Sequence, residues 1–147
     1  MNHIIVEESL NLTGTVFVEG AKNAILPIAT AALLSEGTSY LSNVPDFADI
    51  PSMCDLFSAY GALCSYNPLT KTLAIDAKNM VNTIVPFELF QSYRSSTLIA
   101  GALLARFKEV WIGFPGGDQI GKRPINIHLD AFVECGATVE YKQNYIH

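Results

Sequence analysis

The chain is poor in charge. Charged residues fill 16% of its 147 positions, and nine Lys plus Arg stand against fourteen Asp plus Glu, for a net charge of -5. A deficit of cations is the wrong sign for a protein that coats phosphate backbones, so general nucleic-acid binding is disfavoured. Long apolar runs are also lacking. The longest, residues 25–34, is too short to cross a bilayer and carries Pro27, and residues 1–8 have neither the basic start nor the apolar centre of a signal peptide. These absences predict a cytoplasmic protein with no membrane partner. Histidine is scarce: His3, His128 and His147 lie far apart, with no His-Glu or His-His pair at ligand spacing, so no metal is expected. Cys54, Cys64 and Cys135 are odd in number and form none of the close pairs of a zinc or redox motif, and each is expected to be a buried small apolar group. What the chain has in quantity is hydrophobic residues, 50% of the total with 10% aromatic, which excludes a disordered or low-complexity chain. The length suits one self-sufficient core and argues against two full domains.

The chain resembles itself. Ala32-Leu33-Leu34 with Val44-Pro45 returns seventy residues later as Ala102-Leu103-Leu104 with Phe114-Pro115. Asp55, Phe57, Gly61 and Ala62 return seventy-five residues later as Asp130, Phe132, Gly136 and Ala137, so about five residues are inserted between the two matches. In each copy an Ala/Leu-rich helix (24–34, then 92–106) leads to a short strand (39–41, then 110–112), where β-branched and aromatic residues replace helix formers. The second helix opens at Asp49-Ile50-Pro51 or at Arg123-Pro124, proline standing near the helical entrance where its missing N–H costs nothing. It closes at Gly61 or Gly136, residues suited to the left-handed position past a helix end, and alternating strands follow at 62–66 and 137–141. Asn67-Pro68 turns the chain into a strand over 72–75. The repeating unit reads β-α-β-α-β-β, with repeat one at about 22–76 and repeat two at about 86–147. Such a unit has one apolar face that it cannot cover alone, so two copies are expected to leave a free side and to be a truncated chain or a portion of a longer enzyme.

Three segments carry more charge and glycine at helix starts than a core needs. In Gly20-Ala21-Lys22-Asn23-Ala24 a cation stands where a helix begins, and free N–H groups with the macrodipole attract phosphate or carboxylate there. The other reading leaves Lys22 solvated and makes Asn23 an ordinary N-cap. Arg94, within Gln91-Ser92-Tyr93-Arg94-Ser95-Ser96, falls close to Lys22 in repeat phase, although a lone arginine at a helix start is more often exposed and weakly paired. The third segment runs from Phe114 to Pro124 and nearly spells a phosphate-binding loop from Gly116 to Gly121-Lys122. Arg123 stands where Ser or Thr must bind magnesium, so a nucleotide-hydrolysing P-loop is rejected. Asp118 among glycines and the paired cations Lys122 and Arg123 still favour function over a plain surface loop.

In order and spacing, Gly20-Ala21-Lys22-Asn23-Ala24 with Leu26-Pro27, Arg94-Ser95-Ser96, Pro115-Gly116-Gly117 and Gly121-Lys122-Arg123-Pro124 with His128 resemble the amino-terminal part of the UDP-N-acetylglucosamine 1-carboxyvinyltransferases, enolpyruvyl transferases of peptidoglycan synthesis. The likeness spans nearly the whole chain. It implies an inside-out α/β barrel-type fold of two domains, each with three β-α-β-α-β-β units, of which about two units of one domain are present, while residues 1–21 supply opening strands of the other domain. It implies no cofactor and two small-molecule substrates, phosphoenolpyruvate at Lys22 and Asn23, and UDP-N-acetylglucosamine at Arg94 and at Arg123, Pro124, Ile125, Asn126 and Ile127. Asp118 occupies the loop position that usually holds a cysteine general acid, and Asn126 replaces a common aspartate. Enolpyruvyl transfer protonates the methylene carbon of phosphoenolpyruvate while the sugar 3'-hydroxyl attacks C2, after which phosphate leaves. Asp118 can serve as that acid only with a pKa well above the solution value of about 3.9, which desolvation under a closed loop would supply. Lys22, Arg94 and Arg123 would hold the phosphate and carboxylate charges. The resemblance places the base in later segments, so this chain alone is expected to be inactive and to self-associate through the face left by the missing unit. Two alternatives stand beside this reading: the related 5-enolpyruvylshikimate-3-phosphate synthase, against which the GAKNA start and the PGG loop argue, and a non-catalytic remnant.

Overall fold

The computed structural model describes residues 3–8, 11–91, 94–114 and 124–147. The first unit begins with α1 (Lys22–Ala32), followed by β1 (Thr38–Leu41), α2 (Asp49–Ala59), β2 (Leu63–Asn67) and β3 (Thr72–Asp76). The three strands form an antiparallel sheet in the order β1-β3-β2, with Leu41 opposite Leu73 and Ile75 opposite Cys64. The two-residue period of a strand sends Leu73 and Ile75 into the core and leaves Tyr40 and Leu63 exposed on the other face. Ile25, Leu26, Ala29 and Leu33 of the first helical stretch and Ile50, Met53, Leu56 and Phe57 of α2 bury their apolar stripes against the inward face.

The second unit comprises α3 (Glu88–Gln91), a 3-10 helix (Arg94–Leu98), α4 (Ile99–Phe107), β4 (Ile112–Gly113), α5 (Asn126–Glu134) and β5 (Tyr145–Ile146). Both units end their second helix in the same way. Gly61 and Gly136 take φ of +97° and +93°, and the next residue donates back to the equivalent phenylalanine carbonyl, Ala62 N to Phe57 O at 3.1 Å and Ala137 N to Phe132 O at 2.9 Å. This is the glycine-terminated helix end expected from the sequence.

Elsewhere the second unit departs from expectation. The helix expected over 92–106 is divided, because the Ser96 hydroxyl donates to the Phe90 carbonyl at 2.8 Å and the Ser/Thr-rich segment 94–98 tightens into a 3-10 turn before α4 begins. No strand forms over 137–141. Tyr141 makes one isolated bridge to Ile146, and the backbones of Glu140 and His147 exchange two hydrogen bonds of 2.8 Å, so the ribbon is narrower than the hairpin of the first unit. Helix α5 opens at Asn126 with Ile125 at its N-cap, which places Pro124 just outside the helix rather than in its first turn. Residues 3–8 and 11–20 form no strand, and Ile4, Val6, Val16, Phe17 and Val18 are exposed.

The expectation of three buried apolar cysteines is corrected by the structure. Cys54 of α2 and Cys64 of β2 are joined in a disulfide, with Cα atoms 5.3 Å apart, and Cys135 is exposed. The left-handed turn at Gly61 folds β2 back beside α2 and brings together two residues ten positions apart, a pairing that sequence spacing alone does not show.

Among the described residues, hydrogen bonds from Tyr60 and Arg106 join the units. The Tyr60 hydroxyl donates to the Trp111 carbonyl at 3.0 Å. The Arg106 guanidinium of α4 donates to the carbonyls of Leu33 and Ser35 at 2.8 and 3.3 Å, satisfying acceptors that the end of α1 leaves open. Arg106→Ala strands the partly buried Leu33 carbonyl, and a loss of about 1–3 kcal/mol in urea unfolding is expected. An unchanged midpoint would show that solvent replaces the guanidinium.

Candidate active site

Lys22 is the first residue of α1, and Ala21, with extended φ and ψ of -77° and 122°, is its N-cap without a side-chain hydrogen bond. Asn23 therefore lies inside the first turn and is not the cap, because the chain enters the helix two residues earlier than its side-chain preference suggests. The Lys22 ammonium lies 3.6 Å from an Asp49 carboxylate oxygen and 4.9 Å from the centroid of the Phe47 ring. Asp49 opens α2, where an acidic residue favours the helix dipole. The cation thus sits between a carboxylate and an aromatic face, with more than half of its side-chain surface open to solvent. Asp49 and Phe47 are site neighbours that the sequence reading did not place; the acid in a helical first turn was the only visible signal.

The backbone before Lys22 is held tightly. A Cβ on Gly20 would fall 2.0 Å from the Asn43 carbonyl oxygen and 3.3 Å from the Pro45 side chain, so only glycine lets the chain pass this turn. Next to it the Lys71 ammonium donates to the Glu19 carboxylate, and this hydrogen bond holds the Lys71 pKa above the ordinary lysine value. A raised lysine pKa means that the contribution is fully present at neutral pH and is lost only as pH climbs past the folded value.

Arg94 begins the 3-10 helix, which packs on α1; its side chain is outside the described part. Pro124 and Asn126 are exposed at the start of α5, Ile127 is exposed in its first turn, and Ile125 is half buried. Arg123 and Asp118, with the rest of residues 115–123, lie outside the described residues. A groove of about 460 Å³ lies between α4, α5 and the β4-β5 ribbon, lined by Leu104, Leu129, Phe132 and Val139 among others. Among the described residues its lining includes neither Lys22 and Asn23 nor any residue of 124–127. Also among the described residues, no group of three or more His, Cys, Asp or Glu could hold a metal ion, and no helix is long and apolar enough to cross a membrane.

The chain is 39% identical to UDP-N-acetylglucosamine 1-carboxyvinyltransferase of Hydrogenovibrio crunogenus, an alignment covering 99% of this chain and 35% of that protein. It is likewise 39% identical to UDP-N-acetylglucosamine 1-carboxyvinyltransferase 2 of Staphylococcus saprophyticus, over 100% of this chain and 35% of that protein. The chain thus spans about a third of the length of these relatives. The crystal structure of the enolpyruvyl transferase NikO from Streptomyces tendae superposes with a TM-score of 0.77 at 21% identity, covering 92% of this chain and 29% of that one, which supports the same mixed α/β fold. Over residues 6–147 the sequence matches the family described as EPSP synthase (3-phosphoshikimate 1-carboxyvinyltransferase), and the chain belongs to that family.

Proposed function

We propose that the chain is the amino-terminal portion of an enzyme that transfers the enolpyruvyl group of phosphoenolpyruvate to the 3'-hydroxyl of UDP-N-acetylglucosamine, with release of phosphate, the first committed step of peptidoglycan synthesis. The observation that carries this reading is the 39% identity, over essentially the whole chain, to relatives named for that reaction. Lys22 and Asn23 are the proposed phosphoenolpyruvate contacts. Arg94, Arg123, Pro124, Ile125, Asn126 and Ile127 are the proposed contacts of the nucleotide sugar, and Asp118 is the proposed proton donor. The Asp49 carboxylate and the Phe47 ring hold the Lys22 ammonium near the mouth of α1, where an incoming phosphate would compete with Asp49 for it. The inside-out stack of three units is part of the same proposal. So is the assignment of residues 1–21 to another domain, which the exposed Ile4, Val6, Val16, Phe17 and Val18 favour. Self-association of the isolated chain through the face left by the missing unit belongs to the same proposal and is read as a rise in sedimentation coefficient with concentration; a monomer throughout would refute it.

The test is a chimaera in which residues 1–147 replace the matching third of the Hydrogenovibrio crunogenus relative, assayed by phosphate release. The chimaera is expected to turn over, and the 147-residue chain alone is not. Lys22→Ala in the chimaera removes a charge-assisted contact, and kcat/KM for phosphoenolpyruvate should fall about ten- to a hundredfold. A folded chimaera without activity, beside an active parent, would overturn the assignment.

A further inference from the structure

Cys54 lies midway along α2 and Cys64 in the second position of β2, on the inward face of the sheet opposite Ile75. Their Cα atoms are 5.3 Å apart, inside the span that a disulfide requires, and the two residues are bonded. Both are half buried, and Cys64 lines an open groove of about 420 Å³ together with Ser58, Gly61, Ala74 and Asp76. The bond therefore lies at the edge of the core and is not sealed within it. Cys135, the remaining cysteine, is free and exposed at the end of α5. Disulfides near the surface exchange more readily than those sealed in a core, where structural cysteines are inert.

We propose that Cys54 and Cys64 form a reversible redox staple that fastens α2 to β2 and exchanges with low-molecular-weight thiols and disulfides of the glutathione class. In the oxidising direction the Cys64 thiolate attacks a sulfur of glutathione disulfide, whose S–S bond breaks and releases one glutathione thiolate. The Cys54 thiolate then attacks the Cys64 sulfur of the mixed disulfide and releases the second glutathione. One protein S–S bond replaces one glutathione S–S bond, two electrons pass from the protein to glutathione, and the two thiol protons end on the released glutathiones. Reduction runs the same steps backward, beginning at Cys64. The staple bears on the candidate site through α2, whose first residue, Asp49, holds Lys22. The inference does not depend on the enolpyruvyl reading.

The test holds the purified 147-residue chain at a series of ratios of reduced to oxidised glutathione, blocks free thiols, and maps the peptides without reduction. Residues 23–70 contain no Lys or Arg, so chymotrypsin, cutting at Phe57 or Tyr60, is needed to separate the two cysteines. A Cys54–Cys64 crosslink is expected to rise from absent to complete across the series, with Cys135 alkylated throughout. The reduced chain should melt about 5–10 °C lower, since the bond closes a short loop in the unfolded chain. Cys54→Ser should abolish both the crosslink and the shift, and Cys135→Ser should change neither. Absence of the crosslink at every ratio, a crosslink through Cys135, or a bond that dithiothreitol cannot open in the folded chain would each overturn the proposal. Peptide mapping reports the bond even for a variant that folds poorly.

Discussion

In the chimaeric enzyme, Asp118→Asn is expected to lower phosphate release by about a hundredfold to ten-thousandfold, the usual cost of losing a general acid. The amide keeps the size and polarity of the carboxyl but has no proton to give to the methylene carbon of phosphoenolpyruvate. Asp118→Cys should restore the acid. It should also change the response to fosfomycin, because a thiolate opens an epoxide far more readily than a carboxylate does. Preincubation with the inhibitor should therefore spare the Asp118 enzyme and inactivate the Asp118→Cys variant. Phosphate release by the three enzymes, with and without fosfomycin, separates the possibilities. Unchanged turnover in the Asn variant, or inactivation of the Asp118 enzyme at low inhibitor concentration, would remove Asp118 from the mechanism.

The second large effect is on stability and follows from the unequal enclosure of the two repeats. Phe57 and Phe132 occupy the same repeat position and each accepts the backbone hydrogen bond that ends its helix. Phe57 is fully buried between α2 and the three-stranded sheet, whereas Phe132 is half buried on a helix whose only buried residue is Leu129. Phe57→Ala leaves a cavity in a close-packed core and should cost about 3–5 kcal/mol, roughly 6–20 °C of melting temperature. That is a large share of the total stability of a domain this size. Phe132→Ala, whose side chain already meets solvent, should cost less than half as much. Equal losses in paired thermal melts would show that the second unit is as tightly enclosed as the first.

These expectations mark where local chemistry was sufficient. Asp49-Ile50-Pro51, Gly61 and the turn at Asn67-Pro68 announced α2, its end and the following hairpin, and the structure places α2 at Asp49–Ala59 and the hairpin strands at Leu63–Asn67 and Thr72–Asp76. Gly136 did the same for the end of α5. Each signal acts within a few residues: a residue free to take positive φ, a proline where no N–H is needed, an alternation of period two. The division of the helix expected over 92–106 was less legible, since it depends on one hydroxyl, that of Ser96, finding the Phe90 carbonyl instead of water.

By itself, then, the sequence determined the helix, strand and turn signals of residues 22–76, in the order α1, β1, α2, β2 and β3, but not the strand it predicted before Lys22. Those signals rest on composition and short-range spacing. Only the tertiary structure decided which distant groups meet. It set Lys22 between Asp49 and Phe47, docked Arg106 on the end of α1, pressed the Gly20 backbone against the Asn43 carbonyl and joined Cys54 to Cys64. The reason is physical: a contact between residues far apart in the chain requires that the intervening loop entropy be overcome by burial of the whole core. No local preference at either end records that outcome.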